Sequence, residues 1–295
     1  MHKSTRLRQL FQEKDLIRIV GAHNGLTAKL VEKNGFDGVW ASGLEISTSH
    51  AVPDANILTM SDYLGAAITM NEAVSIPVIA DCDTGYGGMN NVIRMVNKFE
   101  SNGIAAVCIE DKTFPKLNSL VTGGIQKLVP IAEFVAKIVA AKNAQKTEDF
   151  MVFARVEALI AGLGQEEALK RARAYAYAGA DGIFIHSKLQ NPQQIVDFLN
   201  LWDMDVPLII SPTTYPSLTE NEMKRLGKIK MVIYANQVIR AAIKAINSTL
   251  AEIYEHGIVN IDNKIAPLKE VFDLQGLLLM LKNEDEILKI VEKQL

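Results

Sequence analysis

In the run IEDKTFPKLNSL, residues 109–120, two carboxylates (Glu110, Asp111) and two lysines (Lys112, Lys116) crowd the point where an apolar segment ends. A second run, DCDTGYGG at 81–88, sets Asp81 and Asp83 two apart. On one extended strand that spacing points both side chains the same way. Carboxylates held together repel unless a cation lies between them, and Glu110 completes an all-oxygen set. Hard oxygen donors without a His/Cys cluster suit Mg²⁺ or Mn²⁺ rather than Zn²⁺. Gly85, Gly87 and Gly88 are expected to let the backbone approach a ligand closely. Arg155, ending MVFAR, offers a planar fork to a carboxylate or phosphate. His186, near the end of GADGIFIHS, either hydrogen-bonds the same anion or fills the rim.

These residues need elements to bring them together. NGFDGVWAS (34–42), NGIAAVCIED (102–111) and AGADGIFIHS (178–187) share one pattern. Each is a helix-stopping glycine, a short apolar β-rich run, then polar residues. Gly35, Gly103 and Gly179 suit the left-handed position past a helix. The segments before the second and third carry helical period, with Val92, Ile93, Val96 and Phe99 on one face, and Ala168, Leu169, Ala172 and Ala176 on another. Eight strands are predicted, at about 17–22, 37–41, 76–81, 105–110, 151–155, 181–185, 207–211 and 230–234, with room for a helix between each pair. Near-continuous apolar strands alternating with helices imply a parallel sheet buried on both faces. Eight such units favour a closed (β/α)₈ TIM-type barrel. VGAHNGL after the first strand is not a G-x-G-x-x-G turn, which weakens the open doubly wound alternative. In a barrel every strand exit lies on one face, where active sites are built. Any single polar exit would be an ordinary helix cap. Acidic exits converging with an arginine and a histidine point to a catalytic site.

Composition narrows the class. Net charge is −3, with 48% apolar and 22% charged residues, as in an ordinary globular protein. The absence of a basic block argues against nucleic acid or anionic lipid as a partner. The basic N-terminus lacks an apolar core, so no signal peptide is read, and LLLML at 277–281 is far short of a membrane span. Cys82 and Cys108 lack metal-ligand spacing and read as buried reduced thiols of a cytoplasmic protein. Beyond the eighth strand come a long helical stretch at 236–255, an extended segment to Pro267 and two further helices. With no Ser/Gly-rich linker, residues 1–295 are read as one barrel domain with a helical extension at 256–295.

The motifs resemble a known family. EDKTFPKLNS is similar to the E-D-K-x-x-P-K-x-N-S signature of the phosphoenolpyruvate phosphomutase group of the isocitrate lyase superfamily. AHNGL, WASGLEIS, DCDTGYG, ARVEALIAGLG, GADGIFIHS and VIYAN follow in the same order, so the resemblance covers about residues 5–275. SHAVPDANILTM, EDKTFPK, ARVEALIAGLGQEEA and PTTYPSLTE look at least as close to the sister phosphonopyruvate hydrolases. Those carry Thr-Ser where this chain has Asn118-Ser119, the mutase form. Lyases of the superfamily place a catalytic cysteine in this loop within K-K-C-G-H, and residues 111–125 contain none.

The resemblance implies Asp81 as direct Mg²⁺ ligand, with Asp54, Asp83 and Glu110 holding metal-bound waters. It implies that Trp40, Ser42, Gly43 and Leu44 surround a phosphoryl or phosphonyl group, and that Arg155 and His186 hold the substrate. Lys116, Asn118 and Ser119 belong to a closing loop. The substrate would be a small phosphorylated or phosphono 2-oxo acid. Terminal helices would swap within a dimer or tetramer, covering LLLML, although the tail beyond Gly276 departs from the pattern. A non-catalytic barrel would be expected to lose Asp81 or Arg155, and both are present.

Overall fold

The computed structural model describes residues 1–259 and 261–294. They form two compact units, residues 1–239 and 240–295. In the first, eight strands close into a parallel barrel: β1 (Ile17–Ala22), β2 (Gly38–Ala41), β3 (Val78–Asp81), β4 (Ala106–Glu110), β5 (Met151–Val156), β6 (Gly182–Ile185), β7 (Leu208–Ile210) and β8 (Ile229–Tyr234). β1 pairs with β8, so no edge is left open. Each strand agrees with its predicted position to within two residues. Gly35, Gly103 and Gly179 adopt φ of 77°, 76° and 97°, the left-handed turn out of a helix into a strand.

Period-2 alternation divides the core in two. Ile19, Trp40, Ile79, Cys108, Phe153, Phe184, Ile209 and Ile233 point into the barrel, where Leu7 and Leu10 of the first helix join them. Val20, Val39, Val107, Val152, Ile183 and Val232 pack outward against the helices. The inward set matters for the site, because the residue two positions on from each faces the mouth. That step leads from Trp40 to Ser42, from Ile79 to Asp81, from Cys108 to Glu110, from Phe153 to Arg155, from Phe184 to His186 and from Ile209 to Ser211. Cys82 and Cys108 are free and buried.

The second unit contains most of the helix Gln237–His256, a short 3₁₀ turn at Asp262–Lys264 where an extended segment is predicted, and helices Leu268–Gln275 and Leu277–Glu292. Its apolar run stays uncovered: Leu278 and Leu279 are each 62% exposed. Among the described residues no helix is long and apolar enough to cross a membrane.

Candidate active site

At the C-terminal mouth of the barrel, Trp40, Ser42, Leu44, Asp54, Asp81, Arg155, Phe184, His186, Ser211, Thr213 and Asn236 line a small cavity of about 50 Å³. Lys116, Asn118, Ser119 and Leu120 line it from above. They belong to the loop after β4, which starts and returns through a short antiparallel contact of Lys112 with Leu128. Val129 N–H donates to the carbonyl of Asp111 at 3.0 Å and Thr113 N–H to that of Lys127 at 2.9 Å. The loop is a lid with a pinned stem.

The aspartate side of the mouth is crowded with negative charge. Lys116 Nζ lies 2.8 Å from Asp54 Oδ1 and 2.7 Å from Asp83 Oδ1. Asn118 Nδ2 donates to Asp54 Oδ2 at 2.6 Å. Asn56 ties the lid to the same cluster, since its amide donates to Asp83 Oδ2 at 2.8 Å while its carbonyl accepts Lys116 N–H at 2.6 Å. Asp81 and Asp83 do face the same way, but not through strand pleating. β3 ends at Asp81, and Asp83 reaches its position from a left-handed backbone with φ 49°. Both carboxylates come to rest against Gly43, where an added Cβ would stand 3.2 Å from Asp81 and 3.4 Å from Asp83. Gly43 opens the helix Gly43–Ser49, and Ser42 is its N-cap.

Burial, reinforced by Asp81 and Asp54, pushes the Asp83 carboxyl up to about 7 despite the neighbouring ammonium. Burial works against the Lys116 ammonium too, but Asp83 and Asp54 outweigh it and hold its pKa well above the ordinary lysine value. For Asp54 burial is likewise outweighed, here by Lys116, and its pKa is lowered. Asp81 accepts Asp83 N–H at 3.3 Å and makes no ion pair among the described residues. Three aspartates and one ammonium leave a surplus of negative charge around oxygen donors, which fits a hard divalent cation. The four acids expected to surround it do not close into a compact cage among the described residues. Lys116 occupies the space between Asp54 and Asp83, and Glu110 turns to the other side.

That other side is organised around Glu157. Arg155 Nε donates to Glu157 Oε1 at 2.5 Å and lies 3.4 Å from Glu110 Oε2. Arg155 Nη2 contacts Ser119 Oγ and His186 Nδ1, each at 2.8 Å. Glu157 Oε1 also lies 3.0 Å from His186 Nδ1. Nδ1 thus lies within hydrogen-bond distance of a guanidinium donor and a carboxylate acceptor at once, and which of them it engages is set by the ring's tautomer. Burial and Arg155 lower the His186 pKa and keep the ring neutral. Burial would raise the Glu157 pKa, but Arg155, Lys112 and His186 hold it well below the ordinary range. Phe184 lies under the guanidinium, 5.0 Å from its carbon, and meets Trp40 edge to face at 6.2 Å.

Several sequence expectations need correction. Asp111 is not a wall of the mouth. As the outward member of the strand exit it accepts from Glu157 N–H (2.9 Å), Tyr175 Oη (2.7 Å) and Arg171 Nη1 (3.1 Å). Gly85 and Gly87 approach no ligand space. They shape a turn with φ of 87° and 141° against Val92 and Asn91. Glu157 is absent from the residues singled out in the sequence, although it stands two residues beyond the inward-facing Arg155 and period-2 alternation aims it at the same mouth. Asn56 carried no signal, because its partners lie 27 and 60 residues away.

Comparison with known proteins adds to this geometry. A family model described as phosphoenolpyruvate phosphomutase matches residues 7–254. The phosphoenolpyruvate phosphomutase of Tetrahymena pyriformis is 48% identical over 294 residues, covering 99% of this chain and 95% of that protein. The phosphonopyruvate hydrolase of Variovorax sp. (strain Pal2) is 49% identical over 277 residues, covering 94% and 96%. Among solved structures, a phosphoenolpyruvate phosphomutase from Streptomyces platensis subsp. rosaceus superposes with TM-score 0.95 at 50% identity over 97% of this chain and all of that one. A phosphonopyruvate hydrolase in complex with oxalate and Mg²⁺ superposes with TM-score 0.92 at 46% identity over 98% of this chain and all of that one.

Proposed function

The chain belongs to the phosphoenolpyruvate phosphomutase family, and from that premise we propose that it interconverts phosphoenolpyruvate and phosphonopyruvate in a Mg²⁺-dependent reaction. In this reading Asp81 would hold the metal on the side where Asp54 and Asp83 lie, and Glu110, which here faces Lys112 and Arg155, would join them only by turning back. Bound there, Mg²⁺ supplies electrophilic stabilisation of the enolate oxygen, a role Mn²⁺ also fits. Arg155, its guanidinium fixed by Glu157, offers its remaining N–H groups to the substrate carboxylate. The P–O bond of phosphoenolpyruvate breaks first, leaving pyruvate enolate beside the phosphoryl group, and C3 of the enolate then forms the P–C bond. The transferring phosphoryl group is loose and metaphosphate-like. The N–H groups of Gly43 and Leu44, at the start of the helix that Ser42 caps, would hold it together with the His186 ring. Ser42 positions them, its own hydroxyl donating to the Ala235 carbonyl. Trp40 backs the pocket.

The observation that carries the mutase reading is the closed lid. Asn118 is pinned to Asp54 at 2.6 Å above the cavity, so that a bound substrate would sit beneath a lid that shields the phosphoryl group from bulk water. The second reading, a phosphonopyruvate hydrolase releasing pyruvate and phosphate, is favoured by the likeness of the rest of the chain to the Variovorax enzyme. A carbon–carbon lyase lacks support: both cysteines are buried, and burial raises their thiol pKa values, which disfavours a nucleophilic thiolate. The exposed apolar run at 278–281 supports a dimer or tetramer, and the reduced thiols a cytoplasmic setting. Incubation of the purified protein with phosphonopyruvate and Mg²⁺ tests the reading. Phosphoenolpyruvate as product supports it, and stoichiometric inorganic phosphate would replace it with the hydrolase.

A further inference from the structure

Lys112 and Glu157 perform no step in the proposed chemistry, yet both are charged groups at 2% and 0% exposure. A buried charge persists only where partners offset its desolvation. Lys112 Nζ donates to the carbonyl of Leu117 at 2.9 Å and to Ser119 Oγ at 2.6 Å, both on the lid. It also lies 3.1 Å from Glu157 Oε2 and 3.8 Å from Glu110 Oε1. Glu157 looks both ways. Its Oε2 accepts the Ser119 hydroxyl at 2.6 Å, and its Oε1 accepts Arg155 Nε at 2.5 Å. Ser119 Oγ therefore gives one proton to Glu157 and receives from Lys112 and Arg155, which exhausts a hydroxyl. Charges match as well: Glu110 and Glu157 face Arg155 and Lys112, beside a neutral His186.

We propose that Lys112 and Glu157 form a latch that couples closure of the lid to the orientation of Arg155 and, through it, of His186. They are positioning residues. Lys112 always has Glu157 beside it, but its other two donors find partners when Leu117 and Ser119 are docked. Glu157 then carries that state to the guanidinium, so the substrate holders are set as water is shut out. The latch itself rests on geometry, and its effect on product partition rests on the mutase reading.

Hydrogen exchange of the lid, residues 113–126, in the full-length protein with Mg²⁺ tests it alongside kinetics. In Lys112→Met, lid exchange is expected to speed by about tenfold or more, since hydrogen bonds to a charged group are lost. Turnover should fall more than KM rises, and the share of inorganic phosphate among products should grow. Lys112→Met combined with Glu157→Gln restores charge balance, so it should regain thermal stability while the lid stays fast. The double variant carries the test where the single one does not fold. Wild-type exchange and turnover in a folded variant would overturn the latch, showing the pair to be core packing. Wild-type enzyme releasing phosphate at every turnover would instead sink the mutase reading, and the exchange comparison would still decide the latch.

Discussion

The two walls of the mouth solve opposite electrostatic problems. Around Asp81, three aspartates crowd one lysine from the lid, which pairs with Asp54 and Asp83 and leaves Asp81 without an ion pair among the described residues. Around Glu157, two carboxylates meet two cations of which one, Arg155, is fixed in the barrel and the other, Lys112, stands at the base of the lid. The first wall keeps a surplus of negative charge, seen in an Asp83 carboxyl raised to about 7. The second is balanced and holds a neutral imidazole. A surplus suits a site that takes up a cation, whereas balance suits a site that must keep its donors aimed before an anion arrives. The lid touches both, through Lys116 and Asn118 on one wall and Ser119 on the other.

The largest expected effect comes from removing the unpaired carboxylate. Asp81→Ala should lower turnover by about a thousandfold or more, because metal-assisted charge stabilisation is worth several kcal/mol. Cooperative unfolding should be retained, since Asp81 makes no ion pair among the described residues and its loss relieves repulsion. Collapse of the fold would make Asp81 structural. On the balanced wall, Arg155→Lys should cost about a hundredfold in kcat/KM, because an ammonium cannot reproduce the fork that meets Glu157, Ser119 and His186 together. Wild-type kinetics would remove Arg155 from the substrate shell.

Lys116→Met separates the walls in another way. Breaking a buried ion pair costs about 3–5 kcal/mol, so the metal-free protein should melt well below wild type. Mg²⁺ should then raise its Tm by more than it raises that of wild type, because the cation replaces the missing ammonium. An equal Mg²⁺ shift in both proteins would show that Lys116 and the metal do not share a site. Smaller in rate but sharper in meaning is Asn118→Thr. Threonine is shorter and offers one hydroxyl in place of the amide that reaches Asp54. Release of phosphate relative to phosphoenolpyruvate should rise, by the ratio of the two ³¹P signals. An unchanged ratio would free the lid amide from any role in excluding water.

The mildest effect concerns pH. The folded pKa of His186 is depressed below its ordinary 6.5, so between the two values the unfolded chain binds the extra proton. Stability therefore rises with pH across that window and is lost as pH falls below about 6.5. Imidazole NMR should show His186 titrating below 6.5, and a value above it would show that Glu157 outweighs burial and Arg155 in setting the ring's charge.

Much of this was legible because the strands keep a strict two-residue period. Once Ile79, Cys108, Phe153 and Phe184 are inward, Asp81, Glu110, Arg155 and His186 must reach the mouth. The same rule, applied strictly, would have turned Asp111 outward to Arg171 and Tyr175, and Glu157 inward beside Arg155. It fails at Asp83, where the chain has already left the strand and a left-handed residue aims the carboxylate. Contacts made by loops had no such rule. Asn56 meets Asp83 and Lys116 through backbone shapes that no local pattern encodes. The placement of Lys116 between Asp54 and Asp83 depends on how the lid folds back.

The central claim is that the lid over these two walls returns the phosphoryl group to the enolate rather than to water. It is tested most directly by ³¹P NMR of the wild-type protein with Mg²⁺ and phosphonopyruvate. The phosphonate signal should give way to that of phosphoenolpyruvate, with inorganic phosphate a minor product. Conversion to inorganic phosphate at every turnover would contradict it.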